Sequence, residues 1–318
     1  MTGSELFMAA VLDALVGDPH WLPHPVRLMG HCITWVDHGS RVICRGPVSL
    51  RVVGICLAVG LPIGTFFMTS VLIEEAEGIA GWFGSALSIG LASTTLATRD
   101  LWDHARAVDA PLQAGNLPAA RRAIALMVGR DTAGLSESDV ARAAVETVAE
   151  STADGVIAPL MYLAIGGAPL ALAYKAINTL DSMVGHRDTH YIDFGWASAR
   201  LDDVANWIPA RVAAILLILG AGLMTLQRQR MYEGWRVFRR DGGMHPSPNS
   251  GRPEAAMAGV LGVRLGGTNF YDGIQHDRPI LGSEGRAPET GDIPSAMTVM
   301  AMASVLGVLL AVGIRWFV

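Results

Sequence analysis

Lysine is nearly missing from this 318-residue chain: its 24 basic residues are Lys175 and otherwise arginines. Charge of either sign is scarce, at 17% of residues, against about 25% in typical soluble domains. The three cysteines, Cys32, Cys44 and Cys56, form no CxxC pair. That argues against a disulfide framework or a zinc site. A net charge of −5 supplies no basic field for nucleic acid. The N-terminus lacks the basic stretch of a signal peptide. No GxxxxGK[ST] occurs, so there is no P-loop, and neither a GxGxxG after a strand nor a GxSxG elbow is present.

What is abundant is apolar, 51% of the chain. Stretches 52–73, 79–98, 208–226 and 296–314 each reach the ~20 residues that span a bilayer. Arg211 lies near one end of the third, where an arginine can snorkel. A weaker fifth stretch, 156–177, carries Pro159, Gly166, Gly167 and Pro169, with Lys175 near its end. Broken membrane helices of this kind are tolerated where protein or a water-filled cavity lines them. Residues 4–16 are too short to span and contain Asp13, so they read as a buried or interfacial helix. The expected fold is therefore all-α, a polytopic membrane protein with about five spans in one domain over 1–318. Polar regions 17–51, 100–155, 178–206 and 227–295 lie between the apolar segments.

Basic residues orient the spans. The acidic tip EEAEG at 74–78 is expected outside, and Arg41, Arg45, Arg51, Arg99 and Arg106 on its flanks inside. Residues 227–240, with five arginines, are also expected on the cytoplasmic side. A full crossing by 156–177 would put loop 178–206 outside, whereas a re-entrant segment would change the count of crossings. Sequence leaves both open.

Within 100–155, NLPAARRAIALMVG reads as an amphipathic helix, followed by the turn RDTAGLSESD. Ser136 and Asp139 have capping-box spacing, opening a helix that runs to Gly155. On it Arg142, Glu146, Glu150 and Asp154 recur every four residues and share a face. Such a row is either a solvated face with internal ion pairs or a carboxylate set suited to Mg²⁺. Lys175, Asn178 and Asp181 share one side of a second helix. They suit either interfacial snorkelling or contact with phosphate or carboxylate. Lys175 itself is either a leftover of codon bias or a position that needs a compact ammonium rather than a planar fork. Arg200, Asp202, Asp203 and Asn206 precede a span, as a polar helix start or an acidic patch for metal. The 17–30 segment reads as a rigid loop, and His20, His24 and the following His31 stand at no recognised metal spacing. HPSPNSG at 245–251 reads as another, of a type that often binds phosphate or substrate. Few windows alternate as strands do.

Several strings together closely resemble the CobD/CbiB family of cobalamin biosynthesis. They are LDALVGDPHWLPHPVRLMG, GRDTAGL, AAVETVAESTADGVIAPLMY, YKAINTLDSMVGHR, DFGWASARLDDVANWIPAR and HPSPNSGRPEAAMAGVLGVRLGG. The match runs in order through nearly the whole chain. His186 and Ser151 stand where a tyrosine and an asparagine would be expected. The resemblance implies a multi-pass enzyme of the bacterial inner membrane, an adenosylcobinamide-phosphate synthase, with its polar regions mainly cytoplasmic. It would join aminopropanol or its O-phosphate to the propionate carboxylate of adenosylcobyric acid, as an ATP-dependent amide ligase with Mg²⁺. Implied partners are these substrates, the bilayer, and a homo-oligomer or other membrane proteins of the pathway; nucleic acid is not among them.

Candidate roles follow from residue type and motif position. Glu146, Glu150 and Asp154 would bind Mg²⁺ or accept the amine's proton. Lys175 and Arg187 would contact phosphate, with Asn178 and Arg200 as further substrate contacts. Asp181, Asp202 and Asp203 would complete a metal site or hold the amine, and His245 and Asn249 would meet nucleotide or substrate. The alternative is a non-catalytic transporter or corrinoid sensor. Transporters also use broken helices, but no internal repeat of spans is visible.

Overall fold

The computed structural model describes residues 1–19, 24–186 and 188–317. Among them, four helical stretches are long and apolar enough to cross a membrane: Pro47–Ile79, Glu137–Val184, Trp207–Thr225 and Asp292–Phe317. The chain is helical and polytopic, with one small sheet. It divides into two compact units, each assembled from separated segments.

The first unit holds Met1–Ala97, Pro159–Asn206 and Val308–Val318. Its helices begin with α1 (Gly3–Val16), opened by a capping box between Thr2 and Glu5. α2 (Pro25–Ile43) starts where the His24 ring accepts from the Val26 amide, with Pro25 at its first position. His31 lies within α2, whereas His20 falls outside the described residues. α3 (Pro47–Ile79) and α4 (Gly81–Ser93) follow.

The expected span at 79–98 is corrected here. α3 runs through EEAEG to Ile79, so the acidic tip is helix rather than loop. The chain then breaks at extended Ala80, and α4 has 13 residues. Such a helix is ~20 Å long, short of the ~30 Å hydrocarbon layer. Of its small residues, Gly84, Ser88 and Ala92 are buried, and Gly84 serves close packing: a Cβ there would sit 2.1 Å from Glu77 Cγ. Four candidate spans thus replace about five.

Ile33, Leu57, Leu180, Val184 and Phe194 form a core of this unit. Gly54 lets α3 approach the backbone at Phe194, since a Cβ there would lie 1.9 Å from the Phe194 carbonyl oxygen. Leu180 and Val184 belong to α8 (Ala158–Val184), whose backbone leaves helical geometry at Gly167 (φ 66, ψ −163), with Pro169 just beyond. The break expected in 156–177 is therefore present. α9 (Trp196–Ala205) completes the unit's named helices.

The second unit holds Thr98–Ala158 and Trp207–Gly307. α5 (Thr98–Gln113) and α6 (Leu117–Ile124) precede α7 (Glu137–Thr152). α7 opens with the capping box expected from Ser136 and Asp139. A π-helical turn, Ala153–Ile157, joins it to α8. Such turns are rare and frequent at functional sites. α10 (Trp207–Thr225), α11 (Arg228–Asp241) and α12 (Gly251–Leu261) follow. An antiparallel hairpin of β1 (Leu265–Tyr271) and β2 (Ile274–Leu281) then precedes α13 (Asp292–Phe317).

Candidate functional site

Val140 to Glu146 of α7 are all buried, Arg142 and Glu146 included. Two buried charges on one helix need partners. They find them on β1. Arg142 donates through Nη1 to the Gly266 carbonyl and through Nη2 to that of Thr268 at 3.1 Å. Glu146 Oε1 accepts from the Gly266 amide at 2.8 Å, and its Oε2 pairs with Arg130 at 3.0 Å. Gly266 and Gly267 have φ of 82° and 87°, and a bulge sits between Leu265 and Gly267. Only glycine adopts these angles readily, so the GG pair lets β1 turn its backbone onto α7. Arg130 comes from the RDTAGL turn, which is tied to the hairpin by Asp131 N–H to Phe270 O and Gly273 N–H to Asp131 Oδ2, both 2.8 Å. Arg130 also donates to Asn269 Oδ1.

One turn along, half-buried Glu150 accepts from the Ser250 hydroxyl at 2.7 Å. His245 lies on the same loop, and its Nδ1 accepts from the Ser247 amide at 3.0 Å. A neutral ring so held carries its proton on Nε2. Burial, then Arg278, lowers the His245 pKa and keeps the ring neutral, against the pull of Glu150 and Glu146. Asn249 is buried beside Ser250. In the first turn of α12, Glu254 is buried, and burial together with the charges of Glu150 and Glu146 pushes its pKa well above the usual value.

Glu254 yields a prediction for pH. Above pH ~4.5 the unfolded carboxyl ionises while the folded one keeps its proton. The folded chain then binds more protons, so this group's stabilisation falls as pH rises toward the folded pKa. Glu254→Gln stays neutral throughout. Thermal melts in detergent should show the variant gaining on wild type progressively as pH rises above the unfolded carboxyl's ~4.5. A constant difference across that rise would disprove the protonated assignment.

The remaining sequence candidates are placed unevenly. Asp154 sits half-buried in the π-helical turn of the second unit. In the first unit, α8 carries half-buried Lys175, Asn178 and Asp181, and α9 carries exposed Arg200, buried Asp202 and half-buried Asp203. Asp202 Oδ1 accepts from Asn206 Nδ2 at 3.0 Å, and Asn206 Oδ1 accepts from the Tyr174 hydroxyl at 2.8 Å. Burial, then the Asp181 charge, raises the Asp202 pKa to about 7, against hydrogen bonds from Asn206 and Asn178. Asn178, Asp181 and Asp203 thus all act on Asp202, a meeting of α8 with α9 that spacing within either helix did not announce. Arg187 lies outside the described residues. Among the described residues, no group of three or more His, Cys, Asp or Glu is arranged to hold a metal. Sequence reasoning passed over Arg130, Asn269 and Glu254. Arg130 stood in a segment read as a turn, and Glu254 three residues past the loop read at 245–251.

A family model described as CobD/Cbib protein matches residues 6–300. The chain is 48% identical over 309 residues to "Cobalamin biosynthesis protein CobD" of Geobacter metallireducens, covering 97% of this chain and 95% of that one. It is 43% identical over 311 residues to "Cobalamin biosynthesis protein CbiB" of Salmonella typhimurium, at 97% and 96% coverage. To "Cobalamin biosynthesis protein CobD" of Yersinia enterocolitica it is 44% identical over 314 residues, at 98% and 96% coverage. No solved structure matches the chain.

Proposed function

The chain belongs to the CobD/CbiB family of cobalamin biosynthesis, and we propose that it carries out an ATP-dependent amide ligation there. The substrates are adenosylcobyric acid and aminopropanol or its O-phosphate. The observation that supports this reading is the charged centre of the second unit, where buried arginines and carboxylates lie with a half-buried neutral histidine.

The chemistry explains the need for such a centre. A carboxylate and an ammonium do not condense readily in water. A carboxylate oxygen of the corrin first attacks the γ-phosphorus of ATP, forming an acyl phosphate and releasing ADP. The deprotonated amine then attacks the acyl carbon, the amide C–N bond forms, and phosphate leaves. Both steps place negative charge on phosphoryl oxygens, which fixed cationic donors stabilise. Glu146 has both oxygens occupied, by Gly266 and Arg130, and so holds the frame. Glu150 is the carboxylate available to accept the amine's proton, beside Ser250 and the His245 loop.

Mg²⁺ is commonly bound by one or two carboxylates plus phosphate oxygens and water. Asp181 and Asp202, flanked by Asn178 and Asp203, fit that mode in the first unit. An ion bound there would neutralise the charge of a phosphate held by that same unit. We place the protein in the bacterial inner membrane with its arginine-rich segments cytoplasmic.

Full-length protein in nanodiscs, given adenosylcobyric acid, aminopropanol phosphate, ATP and Mg²⁺, is expected to yield amide product by mass spectrometry. Without ATP, product should vanish. Corrinoid binding with no product under the full mixture would favour the transporter or sensor reading.

A further inference from the structure

Arg130 is 7% exposed, and its Nη1 serves Glu146 and Asn269. Its Nε and Nη2 meet no acceptor among the described residues. The same holds for Asn269 Nδ2, on a side chain 2% exposed whose Oδ1 already accepts from Arg130 and Arg142. It holds also for His245 Nε2, the atom that carries the ring's proton. These groups border neighbouring carboxylates of one helix: Arg130 pairs with Glu146, Asn269 joins Arg130, and the His245 loop is tied to Glu150 through the Ser250 hydroxyl at 2.7 Å.

Buried donors without acceptors are rare in folded proteins. Here they come from three separate segments: the RDTAGL turn, β1 and the HPSPNSG loop. The Nε/Nη2 edge of a guanidinium is a fork suited to two oxygens of one anion. An amide N–H and an imidazole N–H add donors from other directions. A carboxylate presents two oxygens in one plane, whereas a terminal phosphoryl group presents three. The N-terminus of α12 opens at Gly251, packed against the His245 side chain, and its dipole also favours an anion.

We propose that Arg130, Asn269 and His245 form a buried phosphoryl-binding site, which takes the terminal phosphate of ATP or that of the phosphorylated amine. The proposal rests on the ligase reading for the identity of these two sources, and on the geometry alone for the site.

Asn269→Asp is the discriminating variant. It keeps the oxygen that holds both arginines and replaces the unpartnered donor with an acceptor. Arg130→Lys, which keeps charge and removes the fork, is the second. Full-length proteins in nanodiscs, checked for folding by thermal melts, would be titrated calorimetrically. The probes are aminopropanol O-phosphate, a non-hydrolysable ATP analogue, aminopropanol and adenosylcobyric acid. At least one phosphorylated probe should bind at least about tenfold more weakly to both variants, while aminopropanol and the corrinoid bind as to wild type. Whether the amine phosphate or the nucleotide is affected names the source, and either supports the site. Wild-type affinity for both phosphorylated probes in the folded variants overturns it, as does a loss confined to the corrinoid. Amide formation by wild type, measured in parallel, separates the two ideas. Product with unaltered probe binding in the variants removes the site and keeps the ligase. No product with variant-sensitive phosphate binding does the reverse.

Discussion

Lys175→Met is expected to lower single-turnover amide formation by at least about 10²-fold, the scale of losing one charge-stabilising donor at a reacting centre, and Lys175→Arg to recover little of it. The side chain is half-buried on α8, on the side that carries Asn178 and Asp181. Both of those residues act on Asp202 of α9. An ammonium in such an acidic neighbourhood is a compact charge with three donors on a flexible stem, able to follow a phosphoryl group as charge moves. A guanidinium is wider, planar and oriented by its fork. The chain otherwise uses arginine throughout, and the two variants test whether the difference in shape matters here. Product from a rapid-mix assay followed by mass spectrometry measures the effect, with melting temperature as the folding control. Near-normal turnover in Lys175→Arg would return the lysine to codon bias. Near-normal turnover in Lys175→Met would make it an interfacial anchor.

The α8 part of that acidic group was legible because helical spacing is a local property, whereas its meeting with Asp202 of α9 was not. Lys175, Asn178 and Asp181 lie at i, i+3 and i+6, and any helix there puts them on one side. The α7 start was legible for the same reason: Ser136 and Asp139 satisfy each other within one turn. The break in α8 was legible from Gly166, Gly167 and Pro169, whose backbone preferences act on the spot. What escaped depends on distant pairing. Nothing near Arg130 in sequence says that its partners are Glu146 and Asn269. Glu254 follows Gly251 and Pro253, just past the segment read as loop, yet it sits in the first turn of a helix that is almost wholly buried. The hairpin was hidden because Gly266, Gly267 and Pro279 interrupt the alternation that marks a strand. The false span at 79–98 had a different cause. Hydropathy sums composition, and composition does not register the extended residue, Ala80, that ends one helix and begins another.

The largest stability loss should come from Arg142→Ala, at about 3–5 kcal/mol, the scale of losing two charge-assisted hydrogen bonds at once. The residue is 8% exposed, and its guanidinium is the main polar tie between α7 and β1. Removing it leaves the carbonyls of Gly266 and Thr268 without their donor, each a charge-assisted bond of about 1.5–3 kcal/mol. Asp139 would lose a partner too, at 3.2 Å, but its side chain is 42% exposed and water can replace the contact. Asp139→Ala should therefore cost far less than Arg142→Ala, apart from its share of the capping box. Arg142→Lys keeps the charge but cannot reach two carbonyls and Asn269 with one fork, so it should restore only part of the loss. Denaturation in graded detergent, read by helical signal, gives all three differences. Equal losses for Arg142→Ala and Asp139→Ala would mean that the ion pair, and not the tie to β1, carries the energy. The tie also bears on chemistry, because β1 carries Asn269. A strand loosened from α7 should weaken phosphate binding in Arg142→Lys while the fold persists, and wild-type affinity in that folded variant would show that β1 holds its place without the arginine.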